Sequence, residues 1–416
     1  MGTGAIYGQA WVTGSIVVVL FGMILGQPTV TVIGTITLLT LALSWFWNKH
    51  VLDRLVFERQ TDADRCFAGE SLHLTLRMTN KKLLPMPWVR VEDAVAARIR
   101  VRDWEAFQSE SPGTQIVSFF TALRWYERIT WHLTLECPQR GYYRVGPVTV
   151  RAGDPFGFFA DRLSLPGEQY LTVYPRLVTM EELGLPPRHL LGETNVRRTV
   201  ITDPTRTIGT REYRPEDPFK AIHWKASARA GAYQTKVYEP TANLQIALFL
   251  NLDTVTRYYE GVDQEHLERA ISVSASIAQW ADAEKFAVGI FANGLLAQTD
   301  QMLRIPPGRR EDQYARILEG LARLTPFTYV NIAGTLEEES PRFPWGSTVI
   351  VVTMTMTDAL RGALAKLVQR GLRVVIVALG FVDDPGLAGV VVHRLPWQAV
   401  AAATKPVIAQ PEEAAG

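Results

Sequence analysis

A chain of 416 residues has room for about two or three domains with sizeable cores. Its formal net charge of +1 excludes a general nucleic-acid binder, which needs a strongly basic face. Two cysteines, Cys66 and Cys137, are too few for a disulfide scaffold and stand in no Cys/His spacing suited to zinc. Packed, reduced thiols are the default expectation, with a single bridge between them as the alternative.

Residues 1–50 carry two apolar runs, Ile6 to Leu25 and Thr29 to Trp47. Each is near the ~20 residues an α-helix needs to cross a bilayer. Gly26, Gln27 and Pro28 join them, so the sequence predicts a transmembrane helical hairpin. A secretory signal and a pair of buried core helices are the rivals. No basic n-region precedes the first run, and apolar residues all round argue against a core helix. Trp11, Trp45, Phe46 and Trp47 suit an aromatic interface belt. Lys49, Arg54 and Arg59 follow the second run while the turn has no base, which by the positive-inside tendency places the soluble part in the cytoplasm.

Over 51–175 the hydrophobic period becomes two. Leu72, Leu74, Leu76 and Met78 alternate with Ser71, His73, Thr75 and Arg77, the pattern of a half-buried strand. Further strands are expected through Trp88–Val91 and at Gln115–Thr121, Arg128–Glu136, Tyr142–Val150 and Tyr170–Tyr174. About seven short strands separated by turns predict an antiparallel β-sandwich. Gly141, Gly146, Gly153 and Gly157 open no helix, so they read as bulge and turn residues rather than a phosphate loop. Residues 176–208, with Pro186, Pro187, Arg188, Arg197, Arg198 and Arg206, read as a connector.

The stretch Gly209 to Glu239 has its own grammar. Asp217 is expected to cap a helix with Pro218 at its first position, running from about Phe219 to Ala230 and ended by Gly231. Lys225 and Arg229 lie four apart and repel mildly. One reading of the charge density is a structural clasp, with Arg211, Glu212, Arg214, Glu216, Asp217 and Lys225 paired among themselves. The other is a partner surface built from Arg211, Glu212, Tyr213, Arg214, Asp217, Lys220, His223, Trp224, Lys225 and Arg229. His223 has no nucleophile or second acid at a recognisable spacing, which favours a packed or hydrogen-bonding role.

The run R-E-Y-R-P-E-D-P followed by I-H-W-K-A-S-A-R closely resembles the signature of the domain of unknown function 58 family, and R-G-Y-Y-R-V-G-P-V-T-V-R-A-G-D-P-F-G-F-F resembles that family's upstream element. The resemblance implies a membrane-anchored bacterial or archaeal protein with a von Willebrand factor A-like domain. It also implies a MoxR-type AAA+ ATPase and a transglutaminase-like membrane protein as partners. The family brings no established activity.

Over 241–403 strands alternate with helices: strands at Leu244–Leu250, Phe286–Phe291, Leu295–Gln298, Thr348–Thr353 and Arg373–Leu379, helices at His266–Ala283, Arg310–Leu324 and Asp358–Arg370. That alternation predicts a doubly wound parallel sheet, with ligands gathering outside the carboxyl ends of its strands, at Asn251–Asp253, Asn293, Thr353–Thr357 and Gly380–Asp384. Residues 404–416 read as a disordered tail.

Domains of the von Willebrand factor A type that hold a divalent ion use an Asp-x-Ser-x-Ser run after the first strand. Here the run is Asn251, Leu252, Asp253, Thr254, Val255, Thr256, Arg257, and neither register supplies two hydroxyls. The metal site is therefore read as degenerate, with Asp253 its one candidate ligand, and no cofactor is expected. Asp358 could be a later carboxylate but is expected as a helix N-cap.

No hydrolase elbow, Walker loop, dinucleotide fingerprint, zinc pair or kinase set occurs. The leading expectation is a non-enzymatic membrane-anchored scaffold. The alternatives are a Mg²⁺-dependent adhesin-like module and an enzyme pairing His223 with Glu212 or Asp217.

Overall fold

The computed structural model describes residues 3–102, 104–185, 202–217, 219–240, 245–254, 263–380, 382 and 384–395. The chain forms two compact units that meet in sequence at Arg176 and Leu177.

The first unit opens with helices α1 (Thr3–Ile24) and α2 (Pro28–Val51). Pro28 sits in the first turn of α2, where its missing N–H costs nothing. Gly34 lets the helices approach closely: a Cβ there would lie 2.8 Å from Cγ2 of Val19. Of the described helices, α2 is long and apolar enough to cross a membrane, and Leu20, Phe21, Ile33, Leu39 and Leu43 stay exposed. The hydroxyls of Thr35, Thr37 and Thr40 each donate to the carbonyl four residues back, which leaves the helix surface without free polar hydrogens at those positions.

Beyond α2, two sheets pack face to face. One has the order β1 (Leu55–Thr61), β3 (Ser71–Asn80), β8 (Arg128–Glu136), β5 (Arg100–Val101). The other has the order β2 (Arg65–Phe67), β11 (Gln169–Tyr174), β9 (Gly141–Gly153), β4 (Met86–Ala96), β7 (Thr114–Leu123), β6 (Ala106–Gln108), with β10 (Ala160–Leu165) on β9. Leu72, Leu74, Leu76 and Met78 of β3 alternate inward and share a core with Val89 and Val91 of β4 and Val148 and Val150 of β9. The sandwich is not wholly antiparallel, because β2 runs parallel to β11. Cys66 and Cys137 are both buried and both free thiols. The adjacent Cys137 side chain, and after it burial, push the Cys66 thiol up.

Arg59 of β1 is the one strongly buried guanidinium of this core that meets a buried carboxylate among the described residues. Its Nη2 lies 2.5 Å from Oδ1 of Asp93, and Nη1 donates to the carbonyls of Val145 and Gly167 at 3.0 and 2.9 Å. Burial pushes the Asp93 carboxyl up to about 6, outweighing the Arg59 charge that pulls it down.

The second unit carries a two-stranded ribbon of β12 (Thr202–Glu212) and β13 (Gln234–Pro240), and a seven-stranded sheet. The sheet order is β16 (Met302–Gly308), β15 (Ala287–Leu296), β14 (Gln245–Leu250), β18 (Thr348–Thr353), β19 (Arg373–Leu379), β20 (Val390–Leu395), with β17 (Leu324–Thr328) on β15. The pairs from β15 through β20 are parallel, while β16 and β17 are antiparallel to β15. The chain thus steps outward in one direction from β14, returns, and steps out in the other, which puts a topological switch point at the carboxyl ends of β14 and β18.

Helices complete the layers. α3 (Trp224–Ala230) belongs to the ribbon; α4 (Gln264–Ala283), α5 (Gln313–Arg323), α6 (Ile332–Glu339) and α7 (Asp358–Gln369) belong to the sheet. Helices α6 and α7 close one face over Phe249, Phe291 and Val351, with Leu336, Leu360 and Leu364 inward. Asp358 is not the cap of α7. Thr357 is, its hydroxyl accepting from the Leu360 N–H at 3.2 Å, and Asp358 follows as a first-turn carboxylate.

Candidate functional site

Two places in the second unit gather the residues singled out by sequence, and they are chemically unlike. The first is the ribbon. The expected single helix from Phe219 to Ala230 is broken into a 3₁₀ turn at Phe219–Ala221 and α3 at Trp224–Ala230. The break has a cause: Ile222 bridges to Thr235, and the His223 N–H donates to the Gln234 carbonyl at 2.7 Å. Those backbone groups are engaged by β13 and cannot extend a helix. His223 rather than Asp217 caps α3, its Nδ1 accepting from the Ala226 N–H at 3.1 Å. An accepting Nδ1 places the ring proton on Nε2. Gly231 ends α3 in the left-handed conformation at φ 67°, as its residue type predicts.

Asp217 has a different task. Its carboxylate receives both terminal nitrogens of Arg211, at 2.7 and 2.5 Å, the Arg214 N–H at 2.9 Å and the Thr235 hydroxyl at 3.2 Å. These donors hold its carboxyl down at about 2, Arg211 contributing most. The loop between β12 and the 3₁₀ turn is fixed by that one forked contact. Pro218 lies outside the described residues, as do the basic residues at 188, 197 and 198. Arg214, Lys220, Lys225 and Arg229 make no ion pair among the described residues, and no hydrogen bond joins His223 to Glu212 or Asp217 among them.

Aromatic side chains, which sequence reasoning recorded only in part, form the other half of this surface. The Tyr213 ring lies 5.9 Å from Phe219 and 6.2 Å from Tyr233, and Tyr233 lies 6.3 Å from Trp224, each pair edge to face. Phe219, Trp224 and Tyr233 are 70%, 63% and 59% exposed. The signal was present in the sequence as aromatic density among the bases, but Phe219 reads there only as the start of the expected helix.

The second place is the switch point. Asn251, directly after β14, is buried and uses every polar atom of its amide. Nδ2 donates to the hydroxyls of Thr353 and Thr355 at 3.1 and 3.3 Å, and Oδ1 accepts from the Asp253 N–H and from Nδ2 of Asn293 at 3.2 and 3.1 Å. Oδ1 of Asn293 accepts from the Leu252 N–H at 2.8 Å. The Thr353 hydroxyl donates to the Thr355 carbonyl at 2.7 Å and also accepts the Thr355 N–H at 3.2 Å. Asp253 is the exception. Among the described residues its half-buried carboxylate receives a single hydrogen bond, from Nδ2 of Asn293 at 3.3 Å, and burial pushes it up. The polar residue closing each apolar strand run (Asn251 after β14, Asn293 within β15, Thr353 in β18) is the sequence signal for this network. Val255, Thr256 and Arg257 of the run read for metal ligation lie outside the described residues. Among the described residues no three His, Cys, Asp or Glu side chains are grouped to hold a metal ion.

Comparison with known proteins adds the following. The chain is 26% identical over 221 residues to the uncharacterized protein YeaD of Bacillus subtilis (strain 168); the alignment covers 53% of this chain and 51% of that protein, so the chain spans about half the length of the curated relative it matches. Among solved structures, AvmM, which catalyses macrocyclization in alchivemycin A biosynthesis, aligns at 12% identity and a TM-score of 0.21 over 30% of this chain and 92% of that one. The full-length major pilin SpaD from Corynebacterium diphtheriae aligns at 12% identity and a TM-score of 0.21, over 28% of this chain and 35% of that one. No inference about fold or function passes from structures at such scores. Residues 209–387, which take in part of the ribbon and most of the α/β sheet, match the family model described as Protein of unknown function DUF58.

Proposed function

We propose that this protein is a membrane-anchored, non-enzymatic scaffold whose β12–β13 ribbon presents a docking surface to a protein partner. The observation that carries the reading is the row of exposed rings, Phe219, Tyr233 and Trp224, set among basic side chains that no acid of the described residues neutralises. Aromatic and arginine side chains concentrate the binding energy of protein interfaces, and a monomer gains nothing from leaving a ring cluster wet. The forked Arg211–Asp217 contact and the His223 cap pre-form this surface, which lowers the ordering cost of binding. The family resemblance supplies the candidate partners, a MoxR-type AAA+ ATPase and a transglutaminase-like membrane protein. The strand order about β14, with an antiparallel edge strand, supports a von Willebrand factor A-like reading of the sheet.

Charge reversal at Arg214 and Lys225 together, or Trp224→Ala alone, is expected to weaken partner capture from solubilised membranes about tenfold or more. These side chains are exposed, so circular dichroism should be unchanged. An unaltered partner set in a folded variant would remove the ribbon from consideration.

Anchoring rests on α1 and α2, on the back-bonded threonines of α2, and on Lys49 packed over the Trp45 ring at 5.4 Å where an interface would lie. Lys49 in the last turn of α2 and Arg54 just beyond it favour a cytoplasmic soluble part. Protease added to inside-out vesicles should then digest the soluble part, and protease added to intact spheroplasts should not. The opposite pattern would reverse the orientation.

A further inference from the structure

We infer that the switch point of the α/β sheet is a binding site for a basic side chain of a partner protein, an ammonium or guanidinium held directly by the Asp253 carboxylate, without a metal ion between them. The inference concerns a different face from the ribbon and does not depend on the ribbon docking a partner.

The argument is one of hydrogen-bond capacity. A divalent cation at this position needs hydroxyl and carboxylate lone pairs directed into an open space. Here the lone pairs of the Thr353 hydroxyl are taken by Nδ2 of Asn251 and by the Thr355 N–H, and its proton goes to the Thr355 carbonyl. The Thr355 hydroxyl accepts the other hydrogen of Asn251 and donates to the Asp253 carbonyl at 3.3 Å. An amide nitrogen therefore does for these hydroxyls what a cation would, and bringing in a metal means breaking a closed buried network.

What the network leaves open is negative. A carboxylate can accept about four hydrogen bonds. Asp253 receives one, and no cationic group faces it among the described residues. A donor that also carries positive charge, as the side chains of lysine and arginine do, complements it best. The rim fits the stem of such a side chain. Phe327, Tyr329 and Val330 are exposed on the segment whose Tyr329 N–H donates to the Asn293 carbonyl at 2.9 Å, so aromatic and apolar surface lies one residue from the network. Aromatic faces favour cations, and the methylene stems of long basic side chains cover apolar surface. Crevices at the carboxyl ends of strands where the sheet order reverses are where α/β sheets receive ligands.

The test uses the full chain in detergent micelles with fluorescein-labelled triarginine and trilysine peptides, and triglutamate as control. The basic peptides should bind the wild type, and Asp253→Asn should weaken them at least tenfold. The Arg214/Lys225 charge reversal should leave that binding unchanged, which separates this site from the ribbon. Because Asp253→Asn could perturb the fold, a second measurement needs only the wild type: carbodiimide coupling of trilysine, followed by mass spectrometry, should form the new amide bond at Asp253. Equal peptide affinity in wild type and Asp253→Asn would overturn the proposal. So would no binding at millimolar peptide, coupling only at other carboxylates, or a melting temperature raised by Mg²⁺ in wild type but not in Asp253→Asn.

Discussion

Replacing Arg59 with methionine while Asp93 stays in place will destabilise the β-sandwich by about 3–5 kcal/mol at neutral pH. The side chains are 8% and 1% exposed, so the carboxylate left behind has no solvent to turn to. The loss exceeds that of an ordinary surface ion pair because it is mostly the cost of an uncompensated buried charge. Removing both partners with Arg59→Met and Asp93→Leu should restore most of the stability, since a well-packed apolar pair is often as good as a buried ion pair.

The same carboxyl gives a pH signature. It is 3.8 in its ordinary state and about 6 in the fold, so the folded chain holds the proton more tightly than the unfolded one. The stabilisation linked to that proton is complete below about pH 4 and is lost as pH rises through about 6, a change on the order of 3 kcal/mol. Amide exchange at Val91 and Val150, beside the pair in β4 and β9, reads the effect within the sandwich. A single variant that loses less than about 1 kcal/mol would show that the pair is dispensable, and a double variant no better than Arg59→Met would show that the loss does not come from an uncompensated buried charge.

The second large effect is expected at Asn251. Asn251→Leu keeps the volume roughly constant but removes an amide that makes four hydrogen bonds. The Thr353 and Thr355 hydroxyls, the Asp253 N–H and one hydrogen of Asn293 each lose a partner in a buried site. With about 1–3 kcal/mol for each buried group left wanting, and partial rearrangement, a loss of about 3–5 kcal/mol is expected for the α/β sheet. Thermal melting followed by tryptophan fluorescence should show it. Asn251→Asp isolates the role of the amide hydrogens, because it preserves shape and acceptors while adding a charge next to Asp253. If Asn251→Leu melted with the wild type, the network would contribute nothing to stability.

Much of the architecture was legible because period and length are strong signals. β3 alternates strictly and is found as read; β14 and β18 are unbroken apolar runs, as strands buried on both faces must be. β16 was not legible. Its R-I-P-P-G sequence argues against a strand, yet at the sheet edge Pro306 and Pro307 need no outward hydrogen bond. The ribbon misled for another reason: Phe219 to Ala230 has helical grammar throughout, but β13 takes the backbone of Ile222 and His223 first. That is a tertiary contact between residues far enough apart that local pattern cannot weigh it. At the switch point the sequence named Asn251, Asp253 and Asn293 as strand ends. It could not show that two asparagine amides would close a ring of bonds and leave one carboxylate outside it, since that depends on which strands become neighbours.

The segment Leu177 to Leu185 decides where the second unit begins as a physical object. Val178, Met180, Leu183 and Leu185 are buried, and the Val178 N–H donates to the Ser276 hydroxyl on α4 at 2.9 Å. A fragment cut at residue 241, where the β/α alternation starts, would lack these side chains and bare the hydrocarbon they cover. Proteolytic trimming or recombinant excision should therefore respect Leu177 as the natural front edge, and any processing enzyme that severed the chain after Leu185 would leave a nicked pair held together by that short apolar strap.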